Sequence, residues 1–571
     1  MTRARTAGQG TARLVGALRG VPPWPRLAAL CIGINLVETG LVMGFDPDAR
    51  PDLAPQASAI APFGVFGDLR WISVYQYSWW ALAAELGAML LVRGAITALS
   101  IGLAWPGRVA RPSPARLVFR SVFGTALAAV LLVPSVALLF GLAAVPISWL
   151  FLAAVPLALL VALIMHPAAV SGDWWRRLFS LRALGWVVLA FAVLSASSAA
   201  MSAAPRVLWP VVAALSGLFN AWSWFGVVHA VADREPARHK VPVAALSVAA
   251  LAAIVVGGTV LGFEAAKRSP TSTFEPLATA PSVYEPTGPA VLLVSGYGSS
   301  WDGTSEHPIP GNFIEEPFSY RGLTASGAPL PYKGADTAKP LGELDRMLLQ
   351  QVAALHETTG QNVDIVAESE GALIAKSALL ARPDPHVSVL VMASPLVSPG
   401  RVWYPTKGNK GWGVASSTAM KLIGDAFQSV SPVDLSPDNP LLASLDSQAP
   451  FLREAMACPL PGARQFALLP LADATATPTT YKLSYPSIVV PAFHGGLIET
   501  PAAAKLVSQV LRNGRVDDDQ ALSLAEKAIS YAASAWQVPS LGPSDYPKAA
   551  DSKPALSCEQ VANALRKNLG R

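Results

Sequence analysis

Seven stretches in the first 263 residues are long and apolar enough to cross a lipid bilayer, and they limit what this chain can fold into more than any other feature. A hydrocarbon core about 30 Å thick needs roughly 20 apolar residues per helix. The stretches at about 26–44, 78–102, 121–143, 147–166, 183–203, 207–231 and 241–263 each supply them. With no water to satisfy peptide groups inside lipid, such segments read as helices. The first is long and lacks a small-x-small cleavage site, so it reads as a retained span and not a signal peptide.

Charge sets the second half apart. Only 14% of the 571 residues are charged, against about 25% in an average soluble protein. Residues 1–263 carry 19 Lys and Arg against 9 Asp and Glu, whereas residues 264–571 carry 24 against 29. The net charge of +5 therefore arises beside the apolar spans, and it argues for no nucleic-acid partner. Basic residues fall on alternate loops: Arg3 to Arg26, Arg108 to Arg120, Arg176 to Arg182, and Arg234 to Lys240. The other loops are nearly uncharged, or acidic like Asp46, Asp48, Asp52 and Asp68. The positive-inside rule makes the basic side, and the N-terminus, cytoplasmic. An odd number of spans then places everything after residue 263 outside the cytoplasm. Residues 264–289, with five prolines and no apolar periodicity, read as a linker to a domain at 290–571.

Ala290 to Val294 is an apolar run of strand length, closed by Ser295-Gly296-Tyr297-Gly298. From Pro340 to Leu355 apolar residues recur at helical spacing. Val363 to Val366, Val387 to Met392, Gln465 to Pro470 and Pro486 to Pro491 are further strands. Strands alternating with helices imply a mostly parallel sheet covered on both faces.

Ser369 lies in Ala367-Glu368-Ser369-Glu370-Gly371, between one of these strands and the helical run from Ala372. A serine on a sharp strand-to-helix turn needs small neighbours two residues away, here Ala367 and Gly371. Its hydroxyl is a poor nucleophile until a base takes its proton, so a histidine is required. Of seven, His166, His229 and His239 belong to or flank spans, His307 lies in an early loop, and His356 and His386 sit at the wrong end of their elements. His494, on a loop after a late strand, remains. Asp473, just past the strand at 465–470, is the candidate acid, while Asp384, Asp425, Asp434, Asp438 and Asp446 read as loop carboxylates.

Together these residues resemble the α/β-hydrolase superfamily of serine esterases and lipases over roughly 289–515. The resemblance implies Ser369 as nucleophile, His494 as base, Asp473 as acid, and the N–H groups of Glu370 and Tyr297 as oxyanion donors, with Gly298 as the neighbouring choice. The order Ser, Asp, His matches the family. The usual first Gly is Ala367 here, and acidic residues flank the serine, which disfavours anionic substrates. The implied chemistry is acyl transfer through an acyl-serine: a hydrolase of lipidic or envelope-bound esters, or an acyltransferase. A transporter or sensor whose outer domain binds without turnover is the alternative of another class.

Residues 396–460, rich in Trp403, Tyr404, Trp412, Phe427 and Phe451, read as a cap over the acyl pocket, with Phe313, Phe318, Tyr320 and Tyr332 adding to its wall. The tail after 515 carries helical runs. Cys458 and Cys558 lie in the outer domain, where a disulfide is able to persist, and two free thiols are the other reading. No His-x-x-x-His or paired-cysteine spacing points to a metal, and no glycine-rich phosphate loop to a nucleotide cofactor. Asn35, Glu38, Glu85, Arg93 and Asn220 fall within the spans. There Glu38 or Glu85 is expected to pair with Arg93, unless these groups form a path for substrate or protons.

Overall fold

A computed structural model describes residues 23–45, 56–76, 78–144, 180–232, 288–304, 308–396, 439–470, 485–490, 500–514 and 556–569, with a few positions between them. The chain forms two compact units, one drawn from residues 1–258 and one built mainly of residues 259–571.

The described part of the first unit is helical: α1 (Pro23–Phe45), α2 (Ala61–Tyr75), α3 (Trp79–Leu103), α4 (Pro114–Ala144), α5 (Leu181–Ala203) and α6 (Trp209–Ala232). Five of these six, all but α2, are long and apolar enough to span a membrane. The fourth and seventh expected spans, at 147–166 and 241–263, lie outside the described residues. Close helix approach rests on small residues. At Gly217 of α6 a Cβ would come within 2.7 Å of the Ile32 Cα, and at Gly94 of α3 within 2.8 Å of the Val122 Cα.

Helix α2 departs from expectation. Asp68 was expected in an acidic loop between spans, yet it lies in a helix whose Phe63, Val65, Phe66, Leu69 and Ile72 are buried. Too short to span, α2 is held at its entry by buried hydrogen bonds. The Ser58 N–H donates to Asn35 Oδ1 (3.1 Å), Asn220 Nδ2 to Ser58 Oγ (2.9 Å), and Trp224 Nε1 to the Ser58 carbonyl (3.0 Å). Asn35 and Asn220 thus serve as hydrogen-bonding glue between helices. The expected pairing of Arg93 with Glu38 or Glu85 is also replaced. Arg93 bonds both carboxylate oxygens of Asp68, at 2.5 and 2.6 Å, and Glu38 instead accepts the Ala57 N–H at 2.8 Å. A guanidinium fork matches a carboxylate in two parallel bonds, and the sequence hid the partner by placing it in an apparent loop.

The second unit is a six-stranded, all-parallel sheet in the order β2-β1-β3-β4-β5-β6. Its strands are β1 (Ala290–Val294), β2 (Ile314–Pro317), β3 (Val363–Glu368), β4 (Val387–Ala393), β5 (Arg464–Pro470) and β6 (Ser487–Val490). Strand β2 was not anticipated: Ile-Glu-Glu-Pro has neither length nor apolar run, and it survives as an edge strand where Pro317 needs no outer partner.

Alternate residues of each strand enter two cores, as a period of two dictates. Leu292, Val294, Ile365, Ala367 and Met392 face helices α7 (Leu341–Thr359), α8 (Glu370–Ala381), α9 (Pro440–Ala457) and α11 (Cys558–Leu569). Val291, Leu293, Val366, Val391 and Leu468 face α10 (Pro501–Asn513). Helix α9 falls inside the expected cap, yet its Leu441, Leu445, Leu452 and Met456 are core residues. Trp403, Tyr404, Trp412 and Phe427 lie outside the described residues. A disulfide joins Cys458, at the end of α9, to Cys558, at the start of α11.

Candidate active site

The sheet order has a switch point. From β1 the chain steps to one side to form β2, then returns past β1 to form β3, and every later strand is added beyond β3. In open parallel sheets, ligands bind at such a reversal, outside the carboxyl ends of the strands. The ends of β1 and β3 are register partners, Val294 with Ala367. Each carries one of the segments singled out above.

Ser369 follows β3 directly and has φ 54° and ψ −113°, a backbone conformation that non-glycine residues avoid. Holding a residue there costs on the order of 1–3 kcal/mol, so the surroundings must fix it. The Ser369 N–H donates to the Ala393 carbonyl at the end of β4 (2.9 Å), and its carbonyl accepts from Leu373 in the first turn of α8 (3.4 Å). Two residues on, Gly371 allows α8 to rest on the end of β1. A Cβ there would lie 2.4 Å from the Val294 carbonyl oxygen and 2.8 Å from that of Ser295. Ala367 is fully buried, which is why a small residue stands before the turn. Ser369 itself is only half-buried.

The turn after β1 abuts the serine. A Cβ on Gly296 would sit 3.1 Å from Ser369 Cβ and 3.6 Å from Oγ. Tyr320 Oη donates to the Ser295 carbonyl (2.6 Å), and the Gly298 N–H donates to Thr337 Oγ1 (3.0 Å). That bond commits the Gly298 N–H to the scaffold and leaves Tyr297 as the oxyanion candidate in this turn. The Tyr297 hydroxyl accepts from Asn439 Nδ2 (2.8 Å), whose Oδ1 caps the first turn of α9. Phe318, Tyr320 and Tyr332, expected to wall a pocket, are core side chains that brace the turn from below.

The two glutamates beside Ser369 have separate fates. Glu370, first in α8, is buried, and neither carboxylate oxygen has a hydrogen-bond partner among the described residues. Burial pushes its carboxyl well above the usual carboxylate range. The same first-turn position leaves its backbone N–H without an acceptor inside the helix. Glu368 is also buried, and its Oε1 accepts the Leu497 N–H at 2.8 Å.

Asp473 and His494 lie outside the described residues. The strands before them do not. β5 ends at Pro470 and β6 at Val490, both at the same edge of the sheet as Ser369 because all strands run parallel. Glu368 reaches Leu497, three residues after His494 in the sequence, and so ties Leu497 to the serine turn. His356 and His386 stack at 3.7 Å at the opposite edge, and Asp384 is used locally by the His386 N–H. Ser394, after β4, is a second strained residue (φ 49°) that the sequence did not reveal; it is buried, and its N–H donates to the Leu468 carbonyl. Among the described residues no cluster of His, Cys, Asp and Glu is fit to hold a metal ion.

No protein-family model matches this chain, and comparison with curated proteins and with solved structures returns no match.

Proposed function

We propose that this is a membrane-anchored serine hydrolase of the α/β-hydrolase type, cleaving carboxylic esters through an acyl-serine on Ser369. The observation that carries the reading is the strained backbone of Ser369, at the switch point of a parallel sheet and against the glycine turn of the neighbouring strand. A protein that only needed a packed core would not hold a half-exposed serine in that conformation.

In the mechanism His494 removes the Ser369 proton as Oγ attacks the ester carbonyl. Asp473 holds the imidazole in the required tautomer and stabilises the imidazolium. The N–H groups of Glu370 and Tyr297 receive the developing oxyanion, helped by the partial positive charge at the start of α8. His494 then returns the proton to the leaving alcohol, and water releases the acyl group. Burial favours the neutral form of Glu370, and an ionised one would oppose the oxyanion. The apolar spans make esters in or on the membrane the accessible substrates, and the basic loops orient the hydrolase outside the cytoplasm.

Labelling of intact cells with a membrane-impermeant fluorophosphonate tests nucleophile and orientation together. Wild type should label and Ser369→Ala should not. Absence of label on folded wild-type protein, in cells and after lysis, would end the hydrolase reading; labelling only after lysis would reverse the orientation.

A further inference from the structure

The turn after β1 is held by more than its own hydrogen bond. Gly296 to Ser299 have the geometry of a type II turn. The Ser299 N–H donates to the Gly296 carbonyl (3.2 Å), and Gly298 takes the positive φ, 77°, that the third position demands. Two outer ties come from residues that follow soon after. The Gly298 N–H donates to the buried Thr337 hydroxyl (3.0 Å), and Ser299 Oγ lies 3.2 Å from Tyr332 Oη. A third tie comes from far along the chain: Asn439 Nδ2 donates to the Tyr297 hydroxyl across 142 residues.

Asn439 is buried, and its two ends do separate work. Oδ1 accepts the N–H groups of Leu441 (2.9 Å) and Leu442 (3.4 Å) and so caps α9. Asp or Ser would cap the helix as well, and Pro440 already favours its first turn. The amide nitrogen plays no part in the cap, and it reaches Tyr297. That residue carries the backbone N–H assigned above to the oxyanion. We propose that Asn439 is a positioning residue of the active site: through the Tyr297 hydroxyl it holds the turn where the Tyr297 N–H meets the oxyanion. This role rests on the hydrolase reading and adds to it a dependence of turnover on the seating of α9.

Two substitutions cut the same bond from opposite ends. Asn439→Ser keeps a capping oxygen but is too short to reach Tyr297, and Tyr297→Phe keeps the ring and the N–H but loses the hydroxyl. With full-length protein and a short-chain p-nitrophenyl ester, each should lower kcat about tenfold and leave KM unchanged. That is less than the roughly hundredfold loss from deleting an oxyanion donor, because the N–H is displaced and not removed. The double variant should be no slower than either single one, as expected for one shared interaction. Wild-type kcat in Tyr297→Phe, whose helix cap is intact, would overturn the proposal even if Asn439→Ser failed to fold. Losses that multiply in the double variant would overturn it too, as would a rise in KM with kcat unchanged. Wild type that reacts with a fluorophosphonate and turns over the ester keeps the hydrolase reading through any of these results. Folded wild type that does neither would remove both.

Discussion

Gly371 and Gly296 both stand beside Ser369 and both lack a side chain for want of space, but different atoms limit them. At Gly371 the obstacle is main chain at the end of β1, so Gly371→Ala must push α8 off the sheet. A loss of about 2–3 kcal/mol in unfolding free energy is expected, typical of overpacking. At Gly296 the nearest atom is the serine's own Cβ at 3.1 Å. Gly296→Ala should fold almost normally yet move the hydroxyl, lowering kcat/KM on a p-nitrophenyl ester by about tenfold or more. A Gly296→Ala enzyme as active as wild type would contradict the placement of the nucleophile. Glu368 adds a third case. Truncation to Ala strands the buried Leu497 N–H and should cost about 1–3 kcal/mol with a fall in kcat, while Glu368→Gln keeps an acceptor and should retain most activity. If both variants behave alike, the tie to the 497 loop is irrelevant to turnover. The turn at Ser369 was legible because its pattern is local: small residues two either side, strand before, helix after. Glu368 was not, because its partner is a main-chain group 129 residues away.

Elements were readable in proportion to their apolar content. Strands β1, β3, β4 and β5 are buried on both faces and read as continuous apolar runs, whereas β2 reads as a charged turn. Helix α11 was hidden among polar residues; its Val561 and Leu565 are buried in the core and Ala562 packs against it. Its attachment is also covalent, through the disulfide spanning 100 residues. Closing a loop of that size is worth up to about 4.7 kcal/mol in the chain-entropy model. Cys558→Ser, or reduction of wild type, should lower the thermal midpoint of the second unit by on the order of 10 °C. Lys376 of α8 offers a pH probe of the same layer. It is fully buried, donates to the Cys458 carbonyl and to Gln465 Oε1, and lies 4.8 Å from the Tyr485 ring. Burial lowers its pKa to about 7. The unfolded chain holds that proton up to a pKa of about 10.4, so between these values folding releases it. Stability should rise with pH across that window and level off below it. Scanning the thermal midpoint from about pH 7 to 10 should show this slope in wild type and a flatter one in Lys376→Met. An equal slope in both would place the titration elsewhere.

For the molecule as a whole, hydropathy identified the unit of long apolar helices but not its interior. The helix α2 escaped notice because its 15 residues are too short for a span, and its polar anchors are each unremarkable in sequence. The proposed orientation depends on parity, and reporters read it directly. Alkaline phosphatase fused after Arg571 should be active and a cytoplasm-dependent fluorescent protein dark; the reverse result would require an even number of spans.

The bonds between α1 and α6 also set a timetable for synthesis. Asn35 donates to the Ala213 carbonyl, 178 residues further on, and Gly217 is shaped to receive the backbone at Ile32. At about 5–20 residues per second the ribosome needs roughly 10–35 s to make the intervening chain. For that interval α1 waits with its amide and its carboxylate turned to whatever is at hand. The newborn protein therefore passes through a stage at which a chaperone, a lipid or the insertion machinery must stand in for a helix not yet made.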